Sequence, residues 1–368
     1  MQFRNFLLAS TFLLAISIFG CGGNSKRGSS AGGGETGTIN VYLAGTTTNL
    51  TTHNNMATYW KNGTTVNLTD GTSYAQAKGI AVDSNGNIYV AGWSGATEEA
   101  TYWKNGAIVN LGSGTVSSIA NGIAIDNSNN VYIAGVVSDL SADKATCWKN
   151  GTPVYLTDGK LSASAIGITI DTDGNVYEAG FTTSATNGGI VATYWKNGTP
   201  VYLTDGTLPA VAYGIAVDSS SNVYAVGYTT NAVNNVSIAT YWKNGLVNTL
   251  TDEPNIAALA YGVAIDKSDN VYIAGTTYTT TYFTNEATYW KNGTAINLTD
   301  GRQVAGSNAI AVDNSSNVYT VGLTTNATTD NTMATYWVNN TATNLTDGSG
   351  NDPAVDNAWI SGIALSSQ

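Results

Sequence analysis

The stretch ATYWKNGTPVYLTDG at 192–206 returns along this chain in recognisable copies, with its tryptophan at Trp60, Trp103, Trp148, Trp195, Trp242, Trp290 and Trp337. A second motif, GIAVDSSSNVYAVG at 214–227, alternates with it. Together they make a unit of about 47 residues, a period that fits repeats of four short strands better than repeats of helix pairs. Everything from residue 39 onward is written in this unit. No single copy can bury a core alone, so neighbouring copies must stack to do it.

Four strands can be read in each unit. Strand A is GIAVD, strand B is NVYVAG, strand C is ATYW, and strand D is VNLT or VYLT. All are short, rich in Val, Ile, Tyr and Thr, and bounded by turn residues. An Asp-x-x-x-Asn turn (Asp83 to Asn87, Asp171 to Asn175) joins A to B. Lys-Asn-Gly joins C to D, where Asn-Gly supplies the positive φ angles of a tight hairpin. Strand A recurs at Gly79, Gly122, Gly167, Gly214, Gly262, Ala309 and Gly362, and strand B carries Tyr42, Tyr89, Tyr132, Tyr177, Tyr224, Tyr272 and Tyr319. The chain therefore enters in strand B (INVYLAG, 39–45) and leaves in strand A (SGIAL, 361–365). These complementary ends predict an all-β, seven-bladed β-propeller of four-stranded antiparallel blades over 39–368. Its C-terminal strand joins the N-terminal three strands and closes the ring, which removes exposed sheet edges.

GIAVDSSSNVYAVG and its relatives resemble the bacterial β-propeller repeats related to the NHL type, often seen in secreted and lipid-anchored proteins. The resemblance covers 39–368 and implies the fold. It implies no single activity, because such propellers include enzymes, binding modules and scaffolds.

Residues 1–20 carry Arg4, then an apolar run from Phe6 to Phe19, then Gly20, which reads as a secretory signal. Ile18-Phe19-Gly20-Cys21 resembles the bacterial lipobox, with Phe19 where a small residue is more usual. That resemblance implies cleavage before Cys21 and diacylation of its thiol; an ordinary signal peptide cut nearby is the alternative. Two acyl chains would hold the protein firmly on a membrane. Residues 21–38, rich in Gly and Ser, read as a lipidated flexible linker. Gly22 lacks the Asp that would favour inner-membrane retention, so an outer membrane or cell surface is expected. Cys147 is then left without a disulfide partner and, standing in the Tyr position of its repeat, reads as a small core hydrophobe.

A net charge of −11 argues against a nucleic-acid partner, which needs a basic patch to neutralise phosphates. With one His, no Cys/His cluster, no G-x-S-x-G elbow and no phosphate loop, the remaining enzymatic route is carboxylate chemistry from loop Asp and Glu. DTDGN at 171–175 touches on the start of a calcium loop but lacks the downstream Glu, and an Asp that caps its own turn explains it without a metal. No cofactor is expected. A Trp packed between blades removes about 150–250 Å² from water, worth roughly 4–6 kcal/mol gross. The alternative is a ring of sugar-stacking Trp. The repeated Lys beside the Asn-Gly turn reads as simply solvated.

The A–B and C–D turns never change length, whereas the B–C stretch holds 7 residues after Gly92, 9 after Gly135 and 11 elsewhere. The D–A stretch holds 10 or 11 residues except for 16 between Leu345 and Gly362. In an up-and-down blade both variable connections emerge on one face, the side where propellers bind ligands; neutral drift is the alternative. Candidate ligand-binding residues there are Trp93, Glu98, Glu99, Tyr278, Tyr282, Phe283 and Trp359, among loops that also carry His53, Asp139, Asp143, Asp330 and Asp352. Glu178 replaces an apolar residue in strand B and must find a partner or a wet channel. The expectation is a monomeric, membrane-anchored, non-catalytic propeller binding a protein or glycan. The alternative is a carboxylate-dependent extracytoplasmic hydrolase or lyase.

Overall fold

Asn105 and Gly106 take φ angles of 50° and 84°, and the Asn of this turn is left-handed in every copy. The turn does more than reverse the chain. Asn105 Nδ2 donates to Asn87 Oδ1 (2.9 Å), and Asn105 Oδ1 accepts the Ile88 N–H (2.8 Å), stapling the C–D turn to the A–B turn beside it. Asp83 holds that second turn: Oδ1 accepts the N–H groups of Asn85 and Asn87, and Oδ2 accepts Asn87 Nδ2 and the Tyr89 hydroxyl. Asp126, Asp171, Asp218, Asp266 and Asp313 repeat this set of bonds. Turn capping thus accounts for DTDGN.

The computed structural model describes residues 38–138, 141–251, 256–349 and 357–367. The expected signal, Cys21, Asp139 and Asp352 lie outside them. Among the described residues there is no helix, and the strands form seven four-stranded antiparallel sheets. In blade 2 the strands are Ala75–Val82, Ile88–Ser94, Glu99–Lys104 and Ala107–Asn110, hydrogen-bonded in the order A-B-C-D. Strand D has only four residues in every blade, which keeps the outer edge too short to recruit another strand. Blade 1 joins Ile39–Thr48, Asn55–Lys61 and Thr64–Asn67 to the C-terminal Trp359–Ser367, with Ile39 opposite Ser367 and Tyr42 opposite Ala364. The ring is closed as expected.

Each of the seven repeated Trp is at most 1% exposed and lies packed in the core, which overturns the idea of a sugar-stacking ring. The indole N–H of Trp60, Trp148, Trp195, Trp242, Trp290 and Trp337 finds no acceptor. An orphaned donor costs about 1–3 kcal/mol, less than the roughly 4–6 kcal/mol gained by burying the ring. The repeated Lys is not merely solvated either. In six blades its ammonium stands 5.0–5.4 Å from the centroid of the strand B Tyr ring. The seventh blade has Val338 in that place and Tyr319 uncovered by a cation.

Strand A is longer than GIAVD suggests and begins several residues before its glycine. A bulge interrupts its pairing with strand B, between Ala77 and Gly79 in blade 2 and at the same point in the other blades. Gly92 sits opposite this bulge, where a Cβ would lie 1.9 Å from the Gln76 carbonyl oxygen, so no larger residue fits. The A strands touch one another in a closed circuit and line the central channel.

Candidate functional site

The bulge leaves one residue of each strand A outside the ladder, immediately before its glycine or, in blade 7, before Ala309. In blades 7, 1, 2 and 3 these residues are Asn308, Ser361, Lys78 and Asn121. In blades 4, 5 and 6 they are Ile166, Tyr213 and Tyr261. They reach toward the neighbouring innermost strand: Asn121 Nδ2 donates to the Ala165 carbonyl (2.9 Å) and Asn308 Nδ2 to the Ile360 carbonyl (2.8 Å). The Tyr213 and Tyr261 rings meet at 5.4 Å between centroids, and Tyr228 adds a third ring 6.0 Å from Tyr213. The channel wall is therefore divided into a polar arc and an arc of Ile166 and two tyrosines.

Lys78 is 8% exposed, and its ammonium makes no hydrogen bond or ion pair among the described residues. Burial pulls its pKa from 10.5 down to about 8, partly countered by the charge of Glu98. Lys78 lies in the first half of Ala75–Val82, the half entered from the D–A loop, and Glu98 stands at the tip of the blade 2 B–C hairpin on that same side.

The B–C hairpins themselves share a geometry that their lengths conceal. In blades 1, 4, 5 and 7 an identical turn is closed by pairs such as His53 N–H to Asn49 O and Asp330 N–H to Asn326 O. The residue at its end has a positive φ: His53 (59°), Gly188 (71°), Asn235 (57°) and Asp330 (58°). Phe283 (57°) and Glu98 (53°) occupy the same left-handed position in blades 6 and 2. Among the hairpins of equal length, what changes from blade to blade is the side chain displayed there.

Trp93 is 8% exposed in strand B, paired with Gln76, where Tyr228 stands in blade 5. Trp359 is half-buried at the start of strand A in blade 1, opposite Thr46. Glu99 begins strand C of blade 2 and packs over Gly112. Tyr278 is half-buried, Tyr282 is 44% exposed and Phe283 is 75% exposed, all on the blade 6 B–C hairpin. Blades 2 and 6 are three positions apart around the ring, so these residues form two separate groups on one face. Asp143 accepts the Ser138 hydroxyl at 2.8 Å.

Glu178 is 2% exposed and lies between blades 3 and 4, where its carboxyl meets the Cys147 thiol. Oε2 has no partner, and burial pushes the pKa up to about 7. Burial also pushes the Cys147 thiol well above its usual range. This pair fills the inter-blade space where other blades set a Tyr against an aliphatic side chain or Thr320, so the carboxylate found a partner and no wet channel.

Residues 68–97 and 206–233 match a family model for a beta-propeller repeat. No curated protein matches the chain. Among solved structures it resembles a puromycin-hydrolyzing peptidase of Mycobacterium tuberculosis (TM-score 0.55, 8% identity, 84% of this chain and 52% of that one). It also resembles an oligogalacturonate lyase of Vibrio parahaemolyticus (TM-score 0.49, 8% identity, 85% and 87%). A third is a chain of a nidogen/laminin complex (TM-score 0.41, 15% identity, 64% and 88%). At such identities the peptidase shares the fold and nothing finer is transferred. The repeat match and the closed ring of seven blades agree: the chain is a β-propeller repeat protein.

Proposed function

We propose that this protein is a membrane-anchored, non-catalytic binding propeller that takes a protein or glycan on the face carrying the B–C and D–A loops. The observation that carries this reading is Phe283, an aromatic 75% exposed and held at a φ of 57°. A bulky residue in the left-handed region costs about 1–2 kcal/mol, and an exposed ring returns almost none of it to the fold. On the opposite face the left-handed positions hold Gly, Asn, Asp and Ser, none of them bulky or apolar, in turns of constant length. At Phe283 the loop face presents a side chain that contributes little to folding. The signal-like N-terminus and the lipobox resemblance at Cys21 support the anchor.

The test is capture from cell-envelope extract by the full chain, compared with Phe283→Gly, which removes both the ring and the strain. A partner held by the wild type and released at least tenfold more readily by the variant is expected. Equal capture by a variant that is more stable would turn the reading toward a plain scaffold.

A further inference from the structure

Resting on the loop-face reading, we propose that the loop-side mouth of the central channel binds a carboxylated sugar, its carboxylate paired with Lys78 and its ring against Tyr213 and Tyr261. Lys78 is the only cation among the residues that the strand A bulges expose to the axis. Lys78 is 8% exposed and its ammonium has no hydrogen-bonded acceptor among the described residues, so an entering anion would supply the missing partner. Glu98 acts on it by its charge alone and forms no ion pair with it. Across the ring, in blades 5 and 6, the Tyr213 and Tyr261 rings are tilted at 47° to one another, and both residues are only partly buried. Aromatic faces of this kind pack against the C–H faces of a pyranose while a few polar groups fix its orientation. Asn121 and Asn308 each direct one amide N–H to a neighbouring strand, and each keeps a side-chain carbonyl that the protein does not use, suited to accepting sugar hydroxyls. An ammonium, two acceptor amides and two tyrosine rings around one axis match a ring that bears both hydroxyls and a carboxylate.

The full chain is titrated by calorimetry with glucuronic acid, glucose, acetate and a short acidic peptide with a free C-terminal carboxylate. Glucuronic acid is expected to bind at least tenfold more tightly than glucose or acetate. Lys78→Met should bring it down to the glucose level while raising the melting temperature, Lys78→Arg should restore most of the preference, and Tyr213→Ala should weaken the acid and glucose together. Equal binding of glucose and glucuronic acid, or of acetate and glucuronic acid, overturns the proposal, as does a preference that survives in Lys78→Met. Saturation by the peptide alone also overturns it and moves the site to a protein partner. If no probe binds but the Phe283-dependent capture succeeds, the channel proposal falls and the loop-face reading stands. If both fail, both fall.

Discussion

Glu178 and Lys78 are buried ionisable side chains that, unlike the turn-capping Asp83 and Asp266, have no set of backbone and amide donors or acceptors around them, and they respond to pH in opposite ways. The folded pKa of Glu178, about 7, lies above its usual 4.5, so between those values the folded protein holds the extra proton. Its contribution is therefore fully favourable below pH 4.5 and is lost as pH rises through about 7. Glu178→Gln should remove this slope and stabilise the protein at pH 8 by about 3 kcal/mol, since each pKa unit is worth about 1.4 kcal/mol. Urea titrations of both proteins at pH 5 and pH 8 check it: a gap that does not widen with pH would show Glu178 to be ionised or hydrated in the fold. Lys78 runs the other way, its folded pKa of about 8 lying below 10.5, so its penalty is complete below pH 8 and eases above it. A strand carboxylate was legible as an anomaly in the sequence, yet its answer was not. Cys147 lies in the preceding blade, and the two substitutions make sense only as a matched pair across an interface.

At the scale of the element, the repeat is held by small devices on the turn face. An Asp caps the A–B turn, an Asn staples it to the C–D turn, and a Lys covers the Tyr that reports to the same Asp. Burial raises the carboxyl pKa of Asp83, but the Asn87 amide, the turn N–H groups and the Tyr89 hydroxyl outweigh it and hold the pKa below the usual value. Blade 7 lacks the Lys, and Tyr319, mainly through burial, has its pKa pushed up to about 12. Val338→Lys should complete the seventh cation–π contact and stabilise the protein by about 0.5–1 kcal/mol, read as a higher urea midpoint with an unchanged slope. A lower midpoint would mean that Val338 packs better than an ammonium over this ring. The turns were predictable because Asn-Gly and Asp-x-x-x-Asn carry their geometry locally. The B–C hairpins were less so: their lengths suggested diversity, whereas backbone hydrogen bonds give the common ones a single turn with one left-handed residue.

For the whole molecule, closure decides stability. Strand A of blade 1 comes from the far end of the chain and supplies the inner edge partner of Ile39–Thr48. Removing residues 358–368 should leave that strand with an open edge and expose Leu43 and its neighbours, so the truncated protein should aggregate or lose its single cooperative transition. Size-exclusion chromatography and a thermal melt check this; a monomer with the wild-type melting curve would show that the seam adds little.

The sequence by itself determined the strand type, the number of blades, the place of the seam and the constant turn face, because each follows from short-range patterns repeated in phase. It also held the key to the channel in the residue before each strand A glycine, which changes from AKGIAVD to ANGIAID, AIGITID, AYGIAVD, AYGVAID, SNAIAVD and ISGIAL. Nothing local marks that column as special. Only the tertiary structure decided its meaning, because a bulge turns the residue out of the ladder, and residues a full repeat apart face one another only after seven blades have closed around an axis.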